Sequence, residues 1–268
     1  MQEKYIYVIL EFKGVRKLFV KDKLFYKSLF SMTLTIALQN VIIFGVNLAD
    51  SIMLGSFSEQ ALSGVALVNQ IQFLLQMVII GVGAGTLIFS SRAWGSKDID
   101  TVKKIANIAM KTGLFLSLVI FIPVFFFPQN VLSLLSNETA VVAEGAKYLR
   151  IICFTYPIFA ATNVLLSTLR SVETVRIGFF VSLSTLIINI CLNYLLIFGN
   201  FGFPRLGAQG AAIATTVARI VELLIVSLYI KFGDKKINLK LSCIQLFAVL
   251  VQKVYKPHIR IFSITKSQ

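Results

Sequence analysis

The sequence predicts an all-α membrane protein, with about six transmembrane helices gathered into one bundle. Three observations carry that prediction: six apolar stretches of spanning length, a scarcity of charge, and basic residues crowded into alternate loops. Hydrophobic residues make up 57% of the chain and charged ones only 14%, with a mean hydropathy of +0.83. Soluble domains carry about 45–50% apolar and about 25% charged residues, so an ordinary soluble globule is excluded.

Crossing the hydrocarbon core takes about 20 helical residues. Six stretches meet that length: Leu29–Leu54, Ala61–Phe89, Ile105–Phe127, Ala146–Leu169, Ile177–Phe198 and Ala211–Ile230. Lipid offers no partner to an unpaired backbone group, so each is read as helix. Residues 1–28 form a basic N-terminal segment, 29–230 the membrane lobe, and 231–268 a basic tail. The tail's apolar run Cys243–Val251 is too short to span and is expected to be interfacial, or the start of a truncated second lobe.

Loop charge predicts the orientation. Lys4, Lys13, Arg16, Lys17, Lys21, Lys23 and Lys27 precede the first span; Arg92, Lys97, Lys103 and Lys104 follow the second. Arg170 and Arg176 flank the fourth connection, and Lys231, Lys235, Lys236 and Lys240 follow the sixth span. The other loops, Gly55–Gln60, Pro128–Val142 and Gly199–Gly210, hold only Arg205 between them. Short-loop Lys and Arg stay inside, which predicts a multi-pass protein of the plasma membrane with both termini cytoplasmic.

The formal net charge of +14 fits the same account. Basic residues between spans meet lipid headgroups, not nucleic acid, which would require them on one soluble face. Three cysteines (Cys153, Cys191, Cys243) without a CxxC pair, and the single His258, give no metal site of His and Cys type. No GxSxG, Walker A or HExxH motif is present, so no enzyme is expected. No signal peptide is visible, because the apolar run Tyr5–Leu10 is too short for one.

Polar residues recur at helical spacing inside the spans. Asn40, Asn47 and Asp50 share one side of the first span, and Asn69, Gln72 and Gln76 one side of the second. The fifth carries Ser182, Thr185, Asn189 and Asn193, and the sixth Thr215, Arg219 and Glu222. Such faces are expected to turn inward, toward one another or toward a water-filled cavity. For a Ser or Thr, interhelical bonding suffices as an explanation. A carboxylate does not fit that reading: holding Asp50 in a span costs at least about 2.5–3.5 kcal/mol, which points to ion, proton or substrate work, the competing reading being an outer-end residue that reaches water. Arg219 and Glu222, three apart, are expected to pair with each other. Lys111, Lys147 and Arg150 lie near span ends and reach headgroups. Pro157 predicts a kink in the fourth span. Gly81, Gly83, Ala84 and Gly85 predict close helix approach or bending in the second, with Gly81 and Gly85 spaced as a packing pair.

Several segments resemble the multidrug and toxic compound extrusion (MATE) family of transporters, in family order from about Lys23 to Lys231. They are Leu48-Ala-Asp-Ser-Ile-Met-Leu-Gly55, Gly81-Val-Gly-Ala-Gly85 leading to Trp94-Gly-Ser-Lys-Asp98, Leu169-Arg-Ser171, Asn189-Ile-Cys-Leu-Asn-Tyr-Leu-Leu-Ile-Phe-Gly199, and Phe203-Pro-Arg-Leu-Gly-Ala-Gln-Gly-Ala-Ala-Ile-Ala-Thr215. The resemblance implies an antiporter that exports bulky, often cationic organic compounds against sodium ions or protons, with no cofactor beyond that coupling ion. It implies a cation- or substrate-binding group of Asp50, Asn47, Asn189, Asn193 and Thr215, with a sodium site at Asp50 and Asn189. One branch of the family has Asp where this chain has Asn193, so a two-carboxylate proton mechanism is not expected. Arg92 and Gly178 replace a common Gln and Pro.

Family members usually have two six-helix lobes, and this chain resembles the first. A missing second lobe or a second copy of the chain is therefore the expected partner, alongside the bilayer and small organic cations; truncation is the preferred reading. Two alternatives are a lipid-linked saccharide flippase of the same superfamily and a non-transporting membrane scaffold.

Overall fold

The computed structural model of the protein describes residues 22–233 and Lys236. The tail segment Cys243–Val251, Cys243 itself and His258 lie outside the described residues. The described chain is helical: α1 (Lys23–Phe57), α2 (Glu59–Gly95), α3 (Ile99–Phe126), α4 (Pro128–Ser133), α5 (Thr139–Ile152), α6 (Thr155–Ser171), α7 (Arg176–Leu196) and α8 (Ala208–Leu228). A 3₁₀ turn at Asn200–Gly202 precedes α8, and one π turn at Tyr229–Gly233 ends it. Five helices are long and apolar enough to cross a membrane, or six when α5 and α6 count as one broken span. The chain is a multi-pass membrane protein.

Local chemistry sets the boundaries. Asp22 accepts from the Leu24 amide to start α1, and Ser58 accepts from the Ala61 amide to start α2. Asp98 accepts from both the amide and the hydroxyl of Thr101 to start α3. Each satisfies a donor that a helix start leaves free. At 35 and 37 residues, α1 and α2 overrun the hydrocarbon core at their basic ends. Accordingly α1 begins at Lys23, ahead of the predicted Leu29.

The fourth span carries the bend that Pro157 predicts, and carries it as a full break. It is two helices, α5 and α6, bent by 51° at Cys153–Phe154. Pro157 sits in the first turn beyond the break. Its ring and missing N–H exclude a bond to the carbonyl of Cys153, so the ladder fails just upstream of the proline. The Cys153 oxygen instead accepts from Tyr156 at 3.0 Å. The predicted loop Pro128–Val142 also holds α4 and the start of α5, with Pro128 at the first helical position, where its lost donor costs nothing.

α6 runs through the middle, buried along nearly its whole length between α2, α3 and α8. Two apolar clusters flank the bundle's polar interior. One, around Leu54, Val68, Leu149, Ile152 and Ala212, lies toward the charge-poor loops. The other, around Val102, Met110, Leu165, Leu169 and Val226, lies toward the basic loops. α1 packs chiefly along α7 and buries only Gln39, Val46 and Leu54.

Close helix approach occurs at one of the predicted glycines: a Cβ on Gly83 would run into Asn163 Oδ1 and Ser167 Oγ of α6. A Cβ on Gly81 or Gly85 would meet nothing within 4 Å, because both lie on the open side of α2. The tight backbone contact is one that spacing did not single out, Gly64 of α2 against Gly145 of α5: a Cβ on Gly64 would stand 2.7 Å from the Gly145 nitrogen.

Candidate functional site: a carboxylate among amides

Three helices bring the polar stripes together in the charge-poor half. Asp50 lies two turns before the end of α1, Asn189 and Asn193 one turn apart on α7, and Thr215 two turns into α8. Asn193 Nδ2 donates to Asp50 Oδ1 in a short contact and to Asn189 Oδ1 at 3.1 Å. Asn189 Nδ2 donates in turn to Thr215 Oγ1 at 3.1 Å. Both asparagines are 0% exposed. The i, i+4 spacing on α7 aims the two amides the same way, so one helix face delivers both.

Asp50 is held by neutral hydrogen-bond partners, with Arg219 acting on it across the cavity without pairing to it. The ion pairs among the described residues are Lys103–Asp100, Lys147–Glu144 and Arg219–Glu222, and Asp50 belongs to none of them. Asn193 Oδ1 is buried without a hydrogen-bond partner among the described residues. Its donor end is committed to Asp50 and Asn189, which leaves the acceptor end over. The site therefore gathers a carboxylate, amide oxygens and a hydroxyl: an all-oxygen donor set of the kind that hard cations take.

A cavity of about 50 Å³ adjoins these residues, lined also by Asn47, Asn69, Gln72, Tyr148, Ser182 and Thr185. A single water needs about 10–15 Å³ by a comparable measure, whereas drug-sized ligands occupy about 300–1,000 Å³. The cavity has room for an ion with a little water, and not for an organic substrate. Asn47 lines it without a bond to Asp50. Asn40, predicted on the same face, lies on the lining of a second space of about 430 Å³ nearer the basic loops.

Arg219 and Glu222 stand between the two. Their pair, 2.7 Å across, borders both spaces, and the guanidinium also lies 5.4 Å from the centre of the Phe159 ring. Tyr148 is the residue that sequence reasoning missed: fully buried on α5, it reaches the cavity beside Thr215. Its signal is one hydroxyl between Lys147 and Arg150, which ordinary packing at a span end also produces.

The MatE family model matches residues 35–195. An uncharacterized transporter, YisQ of Bacillus subtilis, is 29% identical over 239 residues, covering 89% of this chain and 50% of that protein. A probable multidrug resistance protein NorM of Bacillus cereus is 33% identical over 190 residues, covering 70% of this chain and 42% of that protein. The chain spans about half the length of the curated relatives it matches. A solved structure described as MATE in complex with MaD3S superposes with a TM-score of 0.73 at 20% identity, over 80% of this chain and 48% of that one. A MOP superfamily transporter from Pyrococcus furiosus gives 0.72 at 20% identity, over 80% and 47%. At that identity the structural likeness speaks for the fold alone, and the family model speaks for descent: this chain belongs to the MatE family, the multidrug and toxic compound extrusion transporters.

Proposed function

We propose that the chain supplies one lobe of a cation-coupled antiporter that exports organic, often cationic compounds, with Asp50, Asn189, Asn193 and Thr215 taking the coupling ion. The observation that carries this is a membrane-embedded carboxylate outside the ion pairs of the described residues, hydrogen-bonded to neutral side chains and bordering a cavity of ion size. Holding an ionised carboxylate in a span costs several kcal/mol, and a bound sodium ion or proton would remove that cost. The ion is a substrate of the cycle. Sodium would find oxygen ligands in Asp50, Asn189 and Thr215, while a proton would need Asp50 alone. With Asn at 193 a single carboxylate serves the site, so one positive charge enters per turnover at this lobe.

The drug path is assigned to the face where a second six-helix lobe, or a second copy of the chain, would pack. Alternating access in such transporters takes two repeats moving about a shared site. The basic loops face the cytoplasm and the protein resides in the plasma membrane, on the charge asymmetry already described. NorM-named relatives support multidrug export as the task.

Dye efflux from vesicles carrying the lobe joined to a second lobe tests the proposal, under imposed sodium or pH gradients. Efflux should follow one of the two gradients and fall to background in Asp50→Asn, with insertion intact. Gradient-driven efflux by Asp50→Asn at normal abundance would refute the assignment.

A further inference from the structure

The larger space, about 430 Å³ between α1, α2, α6 and α8, plays no part in the ion site. Its lining carries two guanidiniums, Arg170 and Arg219, against one carboxylate, Glu222. Since Glu222 is paired with Arg219, Arg170 is the uncompensated charge. Its one hydrogen bond among the described side chains is Nη2 to Gln39 Oε1, at 2.9 Å, and the acceptor is a neutral amide.

That amide is held in place. Gln39 is 2% exposed, and a Cβ on Gly178 would stand 2.8 Å from its Oε1, so the start of α7 closes directly onto it. Gln39 thus aims the guanidinium without neutralising it. A guanidinium has five donors in a planar fork, and four are left over among the described residues. Two turns away on α6, Asn163 also borders the chamber, its Oδ1 packed against Gly83 of α2. The rest of the wall is apolar, with Ile80, Leu87 and Leu166.

We infer that this chamber binds an anionic group carried on an apolar body, with Arg170 taking the anion. Charge-assisted, forked contacts favour phosphate or carboxylate over a neutral group. A volume near 430 Å³ takes a headgroup and the first part of a chain, not a whole lipid. Arg170 lies in the last turn of α6, at the basic end, where a membrane phosphate is in reach. The same chemistry could come from a phospholipid headgroup or from a free organic phosphate.

The test is native mass spectrometry of the chain purified from membranes, titrated with short-chain phosphatidylglycerol, phosphatidylcholine of equal chain length, and glycerol 3-phosphate. The wild-type chain should retain phosphatidylglycerol over phosphatidylcholine. Arg170→Gln should weaken that binding by about tenfold, and Arg170→Lys by less, because lysine keeps the charge and loses the fork. Gln39→Leu, which keeps the charge but frees the guanidinium, gives a few-fold loss and serves if Arg170→Gln fails to accumulate. Competition by glycerol 3-phosphate would identify a soluble phosphate as an adequate ligand; no competition would identify the lipid. Equal retention of the two lipids by the wild-type chain, or unchanged retention in both Arg170→Gln and Gln39→Leu, would overturn the inference.

Discussion

The two polar spaces along this bundle are charged oppositely and held in place differently. The small one, in the charge-poor half, has Asp50 as its only charge besides the Arg219–Glu222 pair, and hydrogen bonds from α7 tie it down. The larger one carries the excess positive charge, with a single amide steering Arg170. Size and sign agree: room for a small cation beside a carboxylate, room for a larger anionic group beside a guanidinium. What separates them is one ion pair, so the pair controls how far each charge feels the other.

The largest expected effect comes from that divider. Glu222 is 6% exposed, and Glu222→Gln leaves Arg219 without its carboxylate. Breaking a buried pair in this way costs about 3–5 kcal/mol, and the partial exposure of Arg219 places this case near the lower figure. The freed guanidinium then has Asp50 as the remaining carboxylate of the smaller cavity. In the Glu222→Gln background, Asp50→Asn should therefore cost more stability than it does alone, by about 1 kcal/mol. A double-mutant cycle, read by unfolding in mixed micelles, measures this. Additive costs would mean that the two spaces are electrostatically independent.

A somewhat smaller effect is expected from the packing that closes the charge-poor half. Gly64→Ala puts a Cβ against the backbone of Gly145, where no side chain can rotate away. Overpacking of this kind costs about 1–3 kcal/mol. Gly81→Ala, on the same helix and facing open space, should cost nothing measurable and serves as the control. Equal losses in the two variants would remove the claim that the charge-poor half is the tighter one.

Most of the spans were legible in the sequence, since lipid leaves an apolar stretch of twenty residues only one sensible state. The meeting of Asp50, Asn189, Asn193 and Thr215 was legible too, because Asn189 and Asn193 are spaced to share an inward helix face. What periodicity could not deliver was depth. Asn40 and Asp50 share a side of α1, yet ten residues of helix place them about 15 Å apart along the axis. That distance puts them in different spaces. Gly81 and Gly85 failed for a related reason: spacing shows which residues share a face, but not which face another helix meets. Tyr148 and Gln39 were missed because neither belongs to a polar stripe, and their neighbours Lys147, Arg150 and Asn40 already had readings of their own.

The α5–α6 break sharpens the comparison at lower cost. Pro157→Ala restores an amide that could bond Cys153, yet the bend is also fixed by packing of Leu149, Ile152 and Tyr156 in the charge-poor cluster. The expected stability change is under about 1 kcal/mol, because proline in a first helical turn loses little. If the variant instead shifts dye or lipid binding by an order of magnitude, the break itself, and not the side chains around it, positions the two spaces.

The smallest effect belongs to Asp98, which touches neither space and lies outside the spans. Hydrogen bonds from the Thr101 hydroxyl and amide hold its carboxyl below the usual carboxylate range, with lesser help from Lys104. A carboxyl lowered on folding contributes stability that is present above its unfolded value and is lost as the pH falls through its folded value. Asp98→Asn should therefore cost a small amount near neutrality, and the difference from wild type should vanish in strong acid. Asparagine can still cap a helix, so the loss is only the charged part of the bond. Paired unfolding curves at neutral and low pH would read it. A deficit that persists unchanged in acid would assign the role of Asp98 to the geometry of the turn, not to its charge. It would also set the background against which the charge effects at Asp50 and Arg170 are to be judged.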